Sequence, residues 1–327
     1  MKNDPLLSVC DLCVSFETEH GRMVAVDGVS FDLNQGDVLG IVGESGCGKT
    51  VTALSLLRLV PSPPSNIERG KILLNGSDLL QFSENEMSAV RGNDISIIFQ
   101  EPMTSLNPVY QVGSQIRESL VLHQNLKRKE AWEKTIDLLD MVGISDAAEF
   151  AQNYPHQLSG GMRQRVMIAI ALACNPKILI ADEPTTALDV TIQAQIFELL
   201  RELQEKLKMA VILVTHDLGV VAEFVDNVMV MYAGRTIEYG PVDVIFSSPR
   251  HPYTQGLLSS IPNINRDVEE LFVIPGVVPN ANEMPSGCSF HPRCKYVRDA
   301  CLHQIPSLIE LSPEHGAACI LAEGEFL

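Results

Sequence analysis

The chain has 327 residues, 46% of them hydrophobic and 20% charged, with a formal net charge of −17 at pH 7. That length and apolar content exceed one typical domain, so two or three structural units are expected. The negative balance disfavours non-specific binding to DNA or anionic lipid, both of which need a positive face, and leaves room for a local basic patch. No apolar stretch approaches the roughly 20 residues that cross a bilayer. The start, Met1-Lys2-Asn3-Asp4-Pro5, lacks the apolar run of a secretory signal. A cytosolic chain is therefore expected, with any membrane role supplied by partners.

Residues 6 to about 80 hold short β-rich runs and turn pairs such as Asn75-Gly76. Within them, Val38-Leu39-Gly40-Ile41-Val42 is predicted to be a buried strand and Val51 to Leu59 a helix. Between the two lies Gly43-Glu44-Ser45-Gly46-Cys47-Gly48-Lys49-Thr50, which satisfies G-x-x-x-x-G-K-[ST]. In that pattern small residues let backbone N–H groups close around phosphates at a helix N-terminus, where the helix dipole also favours negative charge. Lys49 pairs with the β/γ-phosphates and Thr50 offers its hydroxyl to Mg²⁺. Without the strand and helix around it, the same octet would be a glycine turn with a surface lysine.

Further on, the strand Ile95-Ser96-Ile97-Ile98-Phe99 ends in Gln100, followed by the proline-bracketed segment Glu101-Pro102-Met103-Thr104-Ser105-Leu106-Asn107-Pro108. From about 112 to 153 the pattern turns helical: Ile116, Leu120 and Val121 recur at helix spacing, as do Trp132, Ile136, Leu139 and Val142. Leu158-Ser159-Gly160-Gly161-Met162 and then Ile178-Leu179-Ile180-Ala181-Asp182-Glu183 follow. The second places adjacent carboxylates at the exposed end of a buried strand. Asp182 suits Mg²⁺ coordination through water, and Glu183 is placed to polarise the water that attacks a γ-phosphate. An isolated pair of this kind also serves as solubilising punctuation. The strand Ala210-Val211-Ile212-Leu213-Val214-Thr215 leads into His216.

After Gly240, Ser247-Ser248-Pro249-Arg250-His251-Pro252-Tyr253-Thr254 opens a proline-rich tail. From Phe246 onward it carries nine acidic and five basic side chains, so it is no nucleic-acid arm. Eight cysteines in a cytosolic chain argue against a disulfide framework. Cys47 and Cys174 are isolated. Cys10 and Cys13 form C-x-x-C on what reads as an edge strand, with the thiols on opposite faces. Cys288, Cys294, Cys301 and Cys319 lie near Pro285, Gly287, Pro292 and Pro306 in a segment poor in core-forming runs, and so small a unit needs a staple. Four thiolates suit tetrahedral zinc or an iron–sulfur cube. The lack of a close C-x₂₋₄-C pair favours ligands spread around a larger cluster, and four unliganded thiols are the remaining reading. Arg293, Lys295 and Arg298 would offset an anionic cluster or be ordinary solvated residues. His291 and His303 are substitute ligands or solvated.

The octet, the Leu158–Met162 segment and Asp182-Glu183, in that order, resemble the ATP-binding-cassette (ABC) ATPases, over roughly residues 5 to 245. The resemblance implies an α/β fold of the ABC P-loop type, a RecA-like core with an antiparallel β subdomain and a helical subdomain, here followed by a small C-terminal cysteine-containing domain. It divides the chain into a first part of the nucleotide-binding lobe over 1–105, a helical subdomain over 106–165, a second part of the lobe over 166–245 and a C-terminal extension over 246–327. In this family two cassettes close head to tail, so that Ser159, Gly160 and Gly161 form an anion cradle for the nucleotide held by the other subunit.

The family pattern assigns ATP binding to Gly43, Glu44, Ser45, Gly46, Cys47, Gly48, Lys49, Thr50 and Val51, and Mg²⁺ to Thr50, Gln100 and Asp182. Catalysis falls to Glu183, His216 and Gln100: the histidine contacts the γ-phosphate, and the glutamine touches the lytic water and links the two lobes. Ala187-Leu188-Asp189 matches the loop that crosses the dimer interface. Phe16 is either the adenine platform or a core residue of an edge strand. Met162 stands where the family usually has glutamine, and Val51 replaces a frequent hydroxyl residue; neither change removes a catalytic group, which implies an active ATPase.

The wording Pro102-Met103-Thr104-Ser105-Leu106-Asn107-Pro108 and the stretch His251-Pro252-Tyr253-Thr254 are similar to the oligopeptide and dipeptide importer ATPases in particular. The likeness extends to the cysteine tail, where some members bind a four-iron cluster. It implies ATP and Mg²⁺ with a [4Fe-4S] cluster, or zinc in its place. It also implies a peripheral subunit on the cytoplasmic face of the inner membrane, held there by two permease subunits. That subunit would pair with a second, paralogous ABC ATPase, be fed by an extracytoplasmic solute-binding protein, and make no use of nucleic acid. The segment after Gln100 would form the groove that receives a short permease helix. The cargo would be dipeptides or oligopeptides, with nickel or another small solute of the same branch as the alternative. A soluble cassette of DNA repair or translation is a second alternative. Repair cassettes, however, separate the two motifs with long coiled coils, whereas here only residues 51–157 intervene, and translation cassettes usually come two to a chain.

Overall fold

A computed structural model describes residues 4–19, 21–100, 105–186, 188–261, 273–280 and 283–324. The chain divides into two compact units, one made of residues 1–33, 38–80 and 214–327, the other of 34–37 and 81–213.

In the first unit, β1 (Leu7–Thr18), β2 (Gly21–Leu33), β4 (Ser65–Leu74) and β5 (Ser77–Asp78) form an antiparallel sheet in the order β2-β1-β4-β5. Val9 faces Phe31 on one side and Ile72 on the other, so apolar residues stack across three strands. The sheet corrects one expectation: β1 is an inner strand, not an edge. Its Cys10 and Cys13 do lie in different surroundings, one exposed and one buried, on either side of a bulge. At that bulge Gly70 has φ +114, and a Cβ there would meet the Asp11 carbonyl oxygen at 2.8 Å, so only glycine lets the strands pass. Asn75 and Gly76 both take positive φ and join β4 to β5, as an Asn-Gly hairpin turn requires.

The second sheet of this unit runs β11-β12-β10-β9-β3, formed by β11 (Ile309–Ser312), β12 (His315–Ala317), β10 (Arg235–Pro241), β9 (Asn227–Tyr232) and β3 (Val38–Val42). Every residue of β3 is buried, and it pairs in parallel with β9, Val42 opposite Val230, as a continuous apolar run on a doubly covered strand should. The C-terminal extension is built into this sheet, because β12 pairs with β10 through Glu238–Ala317 and Tyr239–Gly316. Glu238, with no exposed surface, anchors the join. It accepts backbone N–H bonds from Arg250 at 2.6 Å and His251 at 2.9 Å, and lies 3.0 Å from His315 Nε2. A buried carboxylate is tolerated only when donors surround it in this way.

The second unit contains β6 (Ile95–Ile98) parallel to β7 (Ile178–Asp182), Ile98 opposite Ala181. Its helices include α3 (Val112–Gln124), α4 (Arg128–Met141), α6 (Gly160–Leu172) and α7 (Val190–Leu207), numbered after α1 (Lys49–Leu56) of the first unit and α2 (Glu84–Val90), with α5 (Ala147–Phe150) before α6. Ile116 and Leu120 of α3 and Leu139 of α4 are buried as their spacing predicts, whereas Val121 is exposed. Gly113 lets α3 approach the segment after α5 closely: its N–H donates to Ala151 O at 2.9 Å, and a Cβ would meet the Ala151 Cβ at 2.7 Å. Among the described residues no helix is long and apolar enough to cross a membrane.

His251 caps α10 (Pro252–Ser259; α8 is Leu218–Phe224 and α9 Val242–Ser247), its Nδ1 accepting the Tyr253 N–H at 3.0 Å. Burial alone pushes its pKa from 6.5 down to about 3, so the folded chain holds a neutral imidazole, and its backbone N–H donates to the Glu238 carboxylate. Between pH 6.5 and 3 the unfolded chain takes up a proton that folded His251 refuses. Stability is therefore undiminished above pH 6.5 and is lost as the pH falls through that window. The thermal midpoint should drop on acidification from pH 7 to 5 by the equivalent of about 2 kcal/mol. His251→Asn, which keeps an acceptor for the cap, should show a shallower slope in the same melts.

Candidate functional site

In the first unit, β3 runs into the Gly43–Gly48 loop and out through α1. The helix begins at Lys49, two residues before its predicted start, because Gly48 at φ +102 turns the chain into it. The loop is cast against backbone. A Cβ on Gly48 would lie 2.5 Å from Ala25 O, and one on Gly43 would lie 2.3 Å from Met231 O. Gly234 fastens it further, donating to Cys47 O at 3.0 Å and accepting from Asp27 N–H at 2.8 Å. Lys49 is 6% exposed, and its Nζ donates to Gly43 O at 2.8 Å and Glu44 O at 3.0 Å. Its cation is thus fixed over the loop by carbonyls the loop itself supplies. Ser45, Gly46 and Thr50 are exposed, Val51 is half-buried, and the Cys47 thiol is raised above its ordinary pKa by burial.

Phe16 sits half-buried on β1 between Met23 of β2 and Ser65 of β4, on an inner strand. His216 is exposed just past β8 (Ala210–Thr215), and the next residue, Asp217, caps α8 by accepting the Gly219 N–H at 2.9 Å.

In the second unit, β7 ends in Asp182, 2% exposed, and Glu183, half-buried at φ +45. The Gln100 side-chain amide donates to Glu183 Oε2 at 2.7 Å and the Thr186 hydroxyl to the same oxygen at 3.0 Å. The structure thus brings together two residues that the sequence singled out 83 positions apart, and adds Thr186, which sequence reasoning missed. Ser159 caps α6, its hydroxyl accepting the Met162 N–H at 3.3 Å, and Asp189 caps α7 through Ile192 at 3.0 Å. The two caps pack together: a Cβ on Gly160 would touch Leu188 at 3.1 Å and one on Gly161 would touch Ile192 at 2.9 Å. Ala187 lies outside the described residues, as do Glu101, Pro102, Met103 and Thr104 of the proline-bracketed segment.

Beyond that segment a groove of about 590 Å³ is lined by Tyr110, Ser114, Gln115, Arg117, Val121 and Leu122. Gln115 shapes it by accepting the Asn107 N–H and donating to the carbonyls of Asn107 and Tyr110, all within 3.0 Å. Tyr110 is 58% and Leu122 65% exposed.

The extension reaches the phosphate loop through two residues with no role assigned from sequence in the loop. Tyr253 Oη accepts the Glu44 N–H at 2.8 Å, and Arg293 binds the Glu44 carboxylate at 2.7 and 2.9 Å. This corrects the reading of Arg293 as a counter-charge for the thiols or a solvated residue: its side chain is 5% exposed and its charge is spent on Glu44. Lys295 and Arg298 do lie within electrostatic reach of the Cys294 thiol.

A buried parallel strand, a glycine loop with an inward lysine and a helix define a P-loop nucleotide-binding protein. The comparisons specify it further. The family model described as ABC transporter matches residues 26–186, and that described as oligopeptide/dipeptide transporter, C-terminal region, matches 237–301. The chain is 51% identical over 320 residues to the oligopeptide transport ATP-binding protein AppD of Bacillus subtilis, covering 98% of each chain. It is 50% identical over 331 residues to a putative peptide import ATP-binding protein of Brucella ovis, again covering 98% of each. Among solved structures it is similar to the ATP-binding cassette MJ0796, a post-hydrolysis dimer bound to ADP and Pi. The TM-score there is 0.65 at 26% identity, over 72% of this chain and 98% of that one. It is also similar to cbiO1 of Clostridium perfringens, part of the ABC transporter complex cbiONQ, with a TM-score of 0.64 at 29% identity, over 75% and 92% of the two chains. The chain belongs to the ABC transporter ATPases, in the branch that carries the oligopeptide/dipeptide transporter C-terminal region, and is an ATP-hydrolysing transporter subunit.

Gly48→Ala tests the casting of the loop. A methyl group aimed at the Ala25 carbonyl, at a φ that L side chains rarely adopt, should lower stability by about 1–3 kcal/mol in thermal or denaturant melts.

Proposed function

We propose that this subunit powers the uptake of dipeptides or oligopeptides through two membrane permease subunits. It would work beside a second, paralogous ABC ATPase, receive cargo from an extracytoplasmic solute-binding protein, and sit peripherally on the cytoplasmic face of the inner membrane. The observation that carries this is the 51% identity with an oligopeptide transport ATP-binding protein, which runs through the C-terminal extension as well as the cassette. The exposed groove at Tyr110 and Leu122 supports a docking place for a permease segment, since an apolar patch rimmed by Arg117, Glu118 and Gln115 suits an amphipathic helix.

Each group has a chemical task. N–H groups of the Gly43–Val51 stretch, apart from that of Glu44, which is bonded to Tyr253 Oη, take the triphosphate at the α1 N-terminus, and Lys49 offsets its charge. Thr50, Gln100 and Asp182 supply hard oxygen donors of the kind Mg²⁺ selects, and that ion, when bound, neutralises charge on the phosphates. Glu183, oriented by Gln100 and Thr186, accepts the proton of the attacking water, and His216 contacts the γ-phosphate. Phe16 offers the adenine platform. Ser159, Gly160 and Gly161 present a capped helix end to the nucleotide of the partner ATPase, and Asp189 belongs to the same interface. Replacing Glu183 by Gln should leave MgATP binding intact and lower turnover about 10²–10⁴-fold; unchanged turnover would remove Glu183 from the role of base.

The tail cysteines are assigned to a [4Fe-4S] cluster ahead of zinc. Cys288, Cys294 and Cys319 are pushed above the ordinary thiol range by burial and then by one another and Cys301, Cys319 to about 11. Thiolates are soft donors of the kind an iron–sulfur cluster takes. Among the described residues no group of three or more Cys, His, Asp or Glu is placed to hold a metal ion, so the structure assembles the thiols for neither the cluster nor zinc, and the assignment rests on the resemblance and on the soft donor set. When bound, the cluster staples the extension and keeps the thiols deprotonated. Iron and acid-labile sulfide should accompany anaerobically purified protein; zinc without iron would overturn the assignment. In metal-free protein Cys319 should resist alkylation at pH 7 and react only as the pH nears 11.

A further inference from the structure

The extension does more than close the sheet: it takes both the backbone N–H and the carboxylate of one phosphate-loop residue. Glu44 is the second residue of the loop. Its N–H goes to Tyr253 Oη, its carbonyl takes Lys49 Nζ at 3.0 Å, and its carboxylate takes Arg293. The arginine is equally committed. A guanidinium has five N–H donors, and here Nε donates to Pro275 O at 2.9 Å. One terminal nitrogen donates to Glu44 Oε2 and, at 3.4 Å, to Tyr232 Oη; the other donates to Glu44 Oε1 and, at 3.3 Å, to Ile274 O. The plane is held over the rings of Tyr232 and Phe290, centroids 5.8 and 5.9 Å away. These two rings and Tyr253 form one aromatic cluster, with centroids 4.7 to 5.5 Å apart. A residue that served only to fill the surface would not be 5% exposed with a partner for each donor.

The charge balance gives this contact its meaning. A carboxylate at the second position of a loop that must accept a triphosphate would repel it, and Glu44 is partly buried, so water screens it incompletely. Arg293 cancels that charge through a two-pronged bond and fixes the loop that also holds Lys49. We propose that Arg293 of the C-terminal extension is a positioning residue for ATP, which neutralises Glu44 and holds the phosphate loop in its binding shape. The extension is thereby part of the nucleotide site. The inference rests on the assignment of Gly43 to Thr50 as the ATP-phosphate loop.

The test is a titration of the full-length chain with MgATP, alongside thermal melts without nucleotide. Arg293→Ala should raise Kd about tenfold, the order expected for a lost charged hydrogen bond that leaves its partner unpaired. Arg293→Lys, able to meet one carboxylate oxygen but not two, should fall between. The decisive variant is Arg293→Ala combined with Glu44→Gln: with the unpaired charge gone, Kd should return to within about threefold of the parent. A purely structural arginine would give no such rescue. If Arg293→Ala melts early, the Lys variant and the double variant carry the comparison. Wild-type affinity in Arg293→Ala, or a double variant as weak as the product of the single losses, would overturn the proposal. Lys49→Ala should abolish binding in the same titration; if it binds normally, the loop assignment itself fails and the positioning role with it.

Discussion

The first unit is organised around a phosphate loop that has no room for a side chain at Gly43 or Gly48. Gly43 and Gly48 point the places where Cβ atoms would sit at the carbonyl oxygens of Met231 and Ala25, and Gly234 ties the same stretch to Cys47 and Asp27 through backbone bonds. Because these neighbours are backbone rather than side chain, substitutions around the loop cannot easily reshape it. The fully buried β3, in parallel register with β9, sets where the loop emerges: at the carboxyl end of parallel strands, where α/β sheets place their ligands. Lys49 is then drawn inward by two loop carbonyls, which keeps its charge beside the concave backbone instead of in bulk solvent.

What the sequence made legible was local. The phosphate octet, the Asn75-Gly76 turn, the apolar strands β3, β7 and β8 and the acidic pair after Ala181 each declare themselves within a few residues, because turn chemistry and periodicity act at that range. The Gln100–Glu183 contact could be anticipated only through family resemblance, since no period links positions 83 apart. The Arg293–Glu44 pair, 249 residues apart, carried no local signal, and its neighbours Cys288 and Cys294 directed attention to thiol chemistry instead. The inner position of β1 was hidden for a related reason. Alternation reports which residues face a core but not how many strands flank them. The short strands β11 and β12, four and three residues long, offer too little pattern to be seen at all.

The extension illustrates how a segment poor in apolar runs becomes ordered. It contributes few large core residues, but Phe290 and Tyr253 are buried against Tyr232, and Glu238 gathers two backbone donors and a histidine around a fully buried carboxylate. Aromatic area supplies the driving force and the satisfied carboxyl group supplies registry, since shifting β12 by one residue would strip His315 from Glu238 and remove one of its three partners.

The paired carboxylates of the second unit show why adjacency in sequence does not mean equivalence in chemistry. Successive strand residues point to opposite faces, so a regular continuation of β7 past Asp182 would send Glu183 away from its neighbour's side. Instead Glu183 takes φ +45, a conformation that costs a non-glycine residue energy and that persists where surrounding bonds enforce it. The enforcing bonds are visible: Gln100 and Thr186 both donate to Oε2. Asp182, by contrast, stays within the strand at 2% exposure. The strain therefore leaves Glu183 with one carboxylate oxygen aimed by two neutral donors, the Gln100 amide and the Thr186 hydroxyl.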